Sequence, residues 1–364
     1  MHKILRIFPL ALIILSLASC GEFTTKDEDI DTGDVSKVHI SMSDDNLHRF
    51  YSSVTSGNYT SCYVEKGRWR GDGEIRVRGY SSRLNHKKSF SLKIDGRLYV
   101  LERGERTGGL YNMIAMRTYQ LAGVSACSME SVALFLNDEY LGCYNLITYF
   151  TSDTISGELY KFNISARFDL GKNQPLVSYC EKKIPEDNDL SNLEHLFCAC
   201  STLSDPEWCA FVNKYVDVDK TAAYLVIHDF LTVTDTTRAN LYIQYDGKYR
   251  LIPWDNELCM IKDRSSYKLC YDNQLINRLG IVPEVKDAYN RIMGELFTGG
   301  GDTCILDKLK EEAAVMFDRL APAIEKDPAF AMSRQQFMAE KAYVLGYLDK
   351  NTGRASEGDK LILH

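Results

Sequence analysis

The chain has 364 residues, 45% hydrophobic and 26% charged, an ordinary globular balance with room for two lobes. A net charge of −7 and the absence of a basic run argue against nucleic acid as the main partner. The cysteines number 11, and none stands in paired C-x-x-C spacing, which argues against a zinc site.

Lys3 and Arg6 open the chain, and Phe8 to Leu17 is an apolar run too short to span a bilayer as a mature helix. It ends Leu17-Ala18-Ser19-Cys20, which resembles a bacterial lipoprotein signal. The resemblance implies cleavage after residue 19, lipid on the Cys20 sulfur and attachment to a membrane of the cell envelope, on the periplasmic face or the cell surface. Gly21 to Val35 is polar and acidic and reads as a flexible tether, so that the lipidated segment covers 20–36. In such a compartment the remaining cysteines could form disulfides, with a pairing that spacing does not reveal.

Lys37 to Tyr51 begins as a strand and passes through Ser43-Asp44-Asp45 into a short capped helix. Cys62 to Arg70 reads as a strand. Glu74 to Gly79 alternates, with Ile75 and Val77 on one face and Arg76 and Arg78 on the other. Phe90 to Ile94 alternates again, and Asp95-Gly96 turns the chain into Arg97 to Leu101. One antiparallel sheet therefore carries Arg78, Arg83, Lys88 and Lys93, with Ser89 and Ser91 between. Such a cluster suits a polyphosphate, and equally a solvated, positively charged sheet face. Tyr111 to Ala122 reads as a helix ending at Gly123. Ser131 to Asn145 is a hairpin about Asn137-Asp138-Glu139. Ser152 to Asp189 is irregular and polar. Leu190 to Cys200, Asp205 to Tyr215, Val285 to Phe297, Thr303 to Arg319 and Ser333 to Leu348 read as helices, with Pro322 and Pro328 as breaks. The boundaries expected are a β-rich lobe over 37–150, a mainly helical lobe over 151–352 and a tail over 353–364.

The stretch Asp219 to Leu258 organises the second half. Apolar residues from Ala222 to Leu231 recur at helical spacing after Asp219, a suitable N-cap. Leu241 to Tyr245 and Lys248 to Trp254 are strand-like about Asp246-Gly247, a two-residue hairpin signal. With that turn, Asn240 pairs with Pro253 and shares a face with Asp255, at a diagonal spacing of roughly 7–8 Å between Cβ atoms. Asp235, in the loop feeding the first strand, approaches the same place. Oxygen donors gathered in this way suit Mg²⁺ or Mn²⁺. The spacing Asp235-x-x-x-x-Asn240 followed by Asp255 parallels the catalytic loop and metal-side acid of protein kinases. His228 falls inside the helix and reads as structural, and Trp254 as a core anchor.

Four stretches together resemble the CotH kinase family of atypical protein kinases. They are Arg78-Gly79-Tyr80-Ser81-Ser82-Arg83 with Lys87-Lys88-Ser89-Phe90, Leu136 to Leu146, Asp235 to Tyr242, and Ile252-Pro253-Trp254-Asp255. The resemblance implies an α+β, kinase-like bilobal fold with ATP and a divalent metal, Mg²⁺ or Mn²⁺, between the lobes. It implies a catalytic Asp235, metal ligands Asn240 and Asp255, and a nucleotide-facing set of Arg78, Ser82, Arg83 and Lys88 or Lys93. Two departures stand out. Glu257 replaces the aspartate common in the family after Asp255, and Thr148 stands where an acid is frequent. The expected activity is transfer of the γ-phosphate of ATP to Ser or Thr of an envelope or extracellular protein. The alternative is a non-catalytic surface lipoprotein that binds a protein or polysaccharide.

Overall fold

The computed structural model describes residues 30–79, 83, 85–104, 106–162, 180–234, 240–260, 273–297, 304–330 and 332–357. Its first half is a closed barrel. The strands are β1 (Ser36–Ser41), β2 (Thr60–Lys66), β3 (Trp69–Arg78), β4 (Ser89–Ile94), β5 (Arg97–Arg103), β6 (Ser128–Leu136) and β7 (Glu139–Thr148). They run in the order β1-β2-β3-β4-β5-β7-β6, and β1 closes the ring by pairing in parallel with β6. Alternation places Val38, Ile40, Val64, Ile75, Val77, Phe90, Leu92, Leu101 and Leu134 in one buried cluster. The outward faces of β3 and β5 carry Arg76, Arg78, Val100 and Glu102. The stretch read as a single strand from Cys62 to Arg70 is broken by a turn at Gly67-Arg68, where Gly67 takes a left-handed φ of +59°.

Two helices belong to this half. Helix α1 (Asp44–Ser52) is capped by the Ser43 hydroxyl, which accepts from the Asn46 N–H at 3.3 Å. Helix α2 (Leu110–Leu121) follows a short 3-10 turn over Arg106–Gly109.

The chain then builds a second sheet where polarity suggested only irregular structure. Strands β8 (Glu158–Phe162) and β9 (Cys180–Ile184) join β10 (Leu241–Tyr245) and β11 (Tyr249–Pro253) in the order β11-β10-β8-β9. The part after residue 150 is thus a sheet with helices, not helices with one hairpin. Val100 and Ile147 of the barrel pack with Leu159, Tyr242, Ile252 and Trp254 of this sheet. The helices are α3 (Ser191–Thr202), α4 (Asp205–Tyr215), α5 (Val218–Phe230), α6 (Gln274–Leu279), α7 (Pro283–Phe297), α8 (Leu306–Glu325) and α9 (Arg334–Glu357). The N-cap of α5 is Asp217 rather than Asp219; its carboxylate accepts from the Lys220 N–H. Pro322 lies inside α8 and does not end it.

The segment read as a flexible tether is packed at its end. Ile30, Thr32 and Val35 are buried, Gly33 abuts Pro322, and the Asp34 carbonyl accepts from Arg319 at 3.2 Å. Cysteines 62, 127, 143, 180, 198, 200, 209, 259 and 304 are free thiols, and burial pushes those of Cys62, Cys143, Cys180 and Cys200 up to about 12. Among the described residues, no helix is long and apolar enough to cross a membrane.

One long-range tie locks the barrel to the helices. Lys87 is 4% exposed; its ammonium donates to the Asp327 carboxylate at 2.6 Å and to the Cys143 carbonyl at 2.7 Å. The same carboxylate accepts from the N–H groups of Cys143, Ala329 and Phe330. Gly142 has φ +105, and a Cβ there would lie 2.3 Å from the Asp327 Oδ2. Gly142→Ala is therefore expected to destabilise the fold by more than about 1 kcal/mol, read as a lower urea midpoint at unchanged slope.

Candidate functional site

The register of the β10–β11 hairpin decides where the acidic exit goes. Tyr245 pairs with Tyr249 and Leu241 with Pro253, so Asp246, Gly247 and Lys248 form a three-residue loop. Only Gly247 takes a positive φ there, at +97°. Asp246 is instead held by Arg250 at 2.6 Å and by the Ser156 hydroxyl at 2.7 Å. The two-residue turn expected from Asp246-Gly247 does not form, and Asn240 falls opposite Trp254 rather than Pro253. Strand parity alone would then send Asp255 to the other face. The backbone breaks that parity, because Asp255 adopts φ +55, a region that non-glycine residues seldom occupy.

Asp235 and Ser82 lie outside the described residues, as does Cys20. The segment leading to residue 235 is nevertheless tied to the segment leaving Asp255. The Thr234 N–H and hydroxyl both donate to the Leu258 carbonyl, at 3.0 and 3.1 Å. The Met260 N–H donates to the Leu231 carbonyl at 2.6 Å. Helix α5 ends at Phe230, so these bonds fix its exit against the exit of β11.

One cation stands by Trp254 and another feels Asp255. The Arg78 guanidinium lies 5.7 Å from the centre of the Trp254 ring, which packs on Tyr149 and Tyr242 in the apolar cluster between barrel and second sheet. Lys161 of β8 pairs in register with Tyr242. The Glu181 carboxylate is a loose 3.9 Å from the Lys161 ammonium. Burial, with Arg78 adding to it, pushes the Lys161 ammonium down to about 8, while Glu181 and Asp255 pull the other way. A depressed lysine holds more neutral amine at a given pH. Acylation with a limiting amine-directed reagent at pH 8 is therefore expected to mark Lys161 ahead of ordinary surface lysines, as read by peptide mapping. Lys161 lies in the stretch that reads as irregular, and no sequence signal singles it out.

The other described members of the basic set have partners of their own. Arg83 donates to the Thr55 carbonyl at 3.1 Å. Lys93 is exposed, with its ammonium 4.2 Å from the centre of the Tyr59 ring, beside Arg76 at 4.6 Å from the same ring. Lys88 donates to the carbonyls of Arg83 and Asn85, and burial, with Arg103 beside it, lowers its pKa. Lys87, its neighbour, is the buried partner of Asp327 described above. His228 is wholly buried in α5 and pushed down to about 3 by desolvation, in keeping with a structural role.

Sequence reasoning also missed an acid. Glu102 of β5 accepts from the Asn112 amide at 3.0 and 2.9 Å and from the Asn145 amide at 3.0 Å. Burial raises its pKa, against the pull of those amides and of Arg78 and Arg103. Asn145 donates as well to the Gly109 carbonyl at 2.9 Å.

The donor chemistry fits a hard divalent ion held mainly by substrate phosphates. Asn240 and Asp255 offer an amide oxygen and a carboxylate, and such ions are bound by one or two carboxylates plus phosphate oxygens. Asn256, next to Asp255, is wholly buried with neither its side-chain oxygen nor its nitrogen paired. An orphaned amide there is a polar group with capacity for a ligand or water. Among the described residues no cluster of three His, Cys, Asp or Glu exists, so an all-protein cage is not formed by them.

Comparison with known proteins gives one family match. The family described as CotH kinase protein matches residues 75–353. No curated protein matches the sequence. Solved structures that match include the Helicobacter pylori proinflammatory kinase CtkA, at 12% identity and a TM-score of 0.32, covering 74% of this chain and 94% of that one. The Shewanella oneidensis MR-1 toxin–antitoxin complex of HipA, HipB and operator DNA matches at 14% identity and a TM-score of 0.38. It covers 78% of this chain and 65% of that one.

Proposed function

Because the chain belongs to the CotH kinase protein family, we propose that it is a protein kinase that moves the γ-phosphate of ATP to a serine or threonine hydroxyl. The barrel and the part after residue 150 act as two lobes with the nucleotide between them. Asp235 takes the hydroxyl proton as the oxygen attacks phosphorus and the bond to the ADP oxygen breaks. Asn240 and Asp255 hold the divalent ion. When bound, that ion neutralises charge on the phosphoryl oxygens. Arg78 and Lys161 orient the phosphates. Cys20 carries lipid, which keeps the enzyme at the cell envelope, and its substrate is an envelope or extracellular protein.

The observation that carries this reading is the lacing of Leu231 and Thr234 to Met260 and Leu258, which brings the approach to Asp235 against the exit from Asp255. The test is incubation of the purified protein with γ-labelled ATP and Mg²⁺ or Mn²⁺, with a mixture of envelope proteins as acceptors. Label on protein from the wild type and none from Asp255→Ala is expected. No transfer under either metal would overturn the reading.

A further inference from the structure

Asn112 sits where three parts of the molecule meet. It belongs to the first turn of α2 and is 1% exposed. Its side-chain nitrogen donates to both oxygens of Glu102 on β5. Its side-chain oxygen accepts from the backbone N–H of Asn256 at 3.0 Å. Asn145 of β7 donates to Oε2 of the same Glu102 carboxylate and to the Gly109 carbonyl. Gly109 has φ +81, and a Cβ there would meet the Asn145 nitrogen at 2.3 Å, so the anchor requires glycine. The chain Asn145–Glu102–Asn112–Asn256 therefore runs from the barrel to the peptide that follows Asp255.

The amide orientation of Asn112 follows from this chain. Glu102 presents only acceptors when ionised, which turns the Asn112 NH₂ toward it and leaves the oxygen for Asn256. Asp255 sits in the left-handed region, which persists only where surrounding bonds hold it. Among the described residues, the Asn112 side-chain oxygen is what holds the Asn256 backbone N–H.

We propose that Glu102 and Asn112 are positioning residues, whose hydrogen-bonded chain holds the Asp255–Asn256 peptide in its left-handed geometry and thereby sets the direction of the Asp255 carboxylate. The role in catalysis rests on the kinase reading above; the role in holding the peptide does not. Removing Asn112 frees the Asn256 N–H and lets Asp255 relax toward ordinary backbone conformations. The consequence falls on metal affinity and turnover, not on binding of the nucleotide base.

The experiment compares wild type, Glu102→Gln and Asn112→Ala by amide hydrogen exchange across 254–257, by Mn²⁺ titration of the protein alone, and by steady-state kinetics. In Asn112→Ala, exchange at Asn256 is expected to rise about tenfold, the scale of one lost hydrogen bond. Mn²⁺ affinity and kcat should fall roughly 10- to 100-fold, the range seen when partners of metal ligands are removed. KM for ATP should change less than about threefold. Glu102→Gln keeps one acceptor for the Asn112 amide and should fall between the two; it carries the test if Asn112→Ala does not fold. Wild-type exchange at Asn256 in both variants would overturn the proposal. A wild type that neither binds Mn²⁺ nor transfers phosphate would overturn the kinase reading, while exchange at Asn256 would still decide the positioning role.

Discussion

Lys87→Met is expected to cost about 3–5 kcal/mol of stability, the range for removing one partner of a buried ion pair. A domain has only about 5–15 kcal/mol in all, so the variant should unfold at a much lower urea concentration or not fold at 37 °C. The reason is the surroundings of Asp327. Its side chain is 0% exposed, and the Lys87 ammonium stands 2.6 Å from it. The N–H groups of Cys143, Ala329 and Phe330 would remain, but they cannot neutralise a full charge out of water. The ammonium also stands 4.7 Å from the centre of the Tyr144 ring, an attraction that methionine lacks. Urea denaturation of Lys87→Met, Asp327→Asn and the double variant checks this. The double variant should lose clearly less than the sum of the singles, because the second change removes the charge that the first leaves stranded. Strict additivity would show that the pair is not a coupled unit.

Asp255→Ala is expected to lower phosphoryl transfer by a hundredfold or more, on the order of the largest effects of changing a metal site's surroundings, without a comparable loss of stability. The side chain is half-buried rather than enclosed, so its removal leaves no large cavity. A thermal-shift titration separates binding from folding. At a ligand concentration of about 100 Kd, binding to the native state adds about 2.7 kcal/mol, so ATP with Mg²⁺ should raise the wild-type Tm by several degrees. The Asp255→Ala protein should melt near the wild type without ligand and gain little from the pair. Equal ligand-induced shifts in both proteins would mean that Asp255 does not hold the ion.

Alternation was legible wherever one face of a strand met the barrel interior. The apolar faces read from alternation at Ile75, Val77, Phe90 and Leu92 are buried in the barrel, and Asp95-Gly96 forms the two-residue turn its type demands, both residues at positive φ. The same dipeptide at Asp246-Gly247 misleads, because Arg250 and Ser156 capture the Asp246 carboxylate and add a residue to the loop. A one-residue slip then moves Asn240 from Pro253 to Trp254. Strands β8 and β9 were invisible. β8 pairs with β9 and with β10 across long intervals of sequence, and Lys161 and Lys182 interrupt any apolar pattern. Of the expected basic cluster, Arg78 stands by Trp254, whereas Arg83, Lys88 and Lys93 turn to carbonyls and to Tyr59.

The alternating strands, the capped helices, the buried His228 and the motifs that mark the family are local properties of the chain. Those depend on residues a few positions apart, and their chemistry acts over that distance. Packing, in contrast, sets which distant groups share one desolvated space. The parallel closure of β1 on β6, the Lys87–Asp327 pair 240 residues apart, and the bridge from Glu102 through Asn112 to Asn256 all arise there. Each buries a polar group that must find a partner, and burial is a property of the packed whole rather than of any stretch of chain.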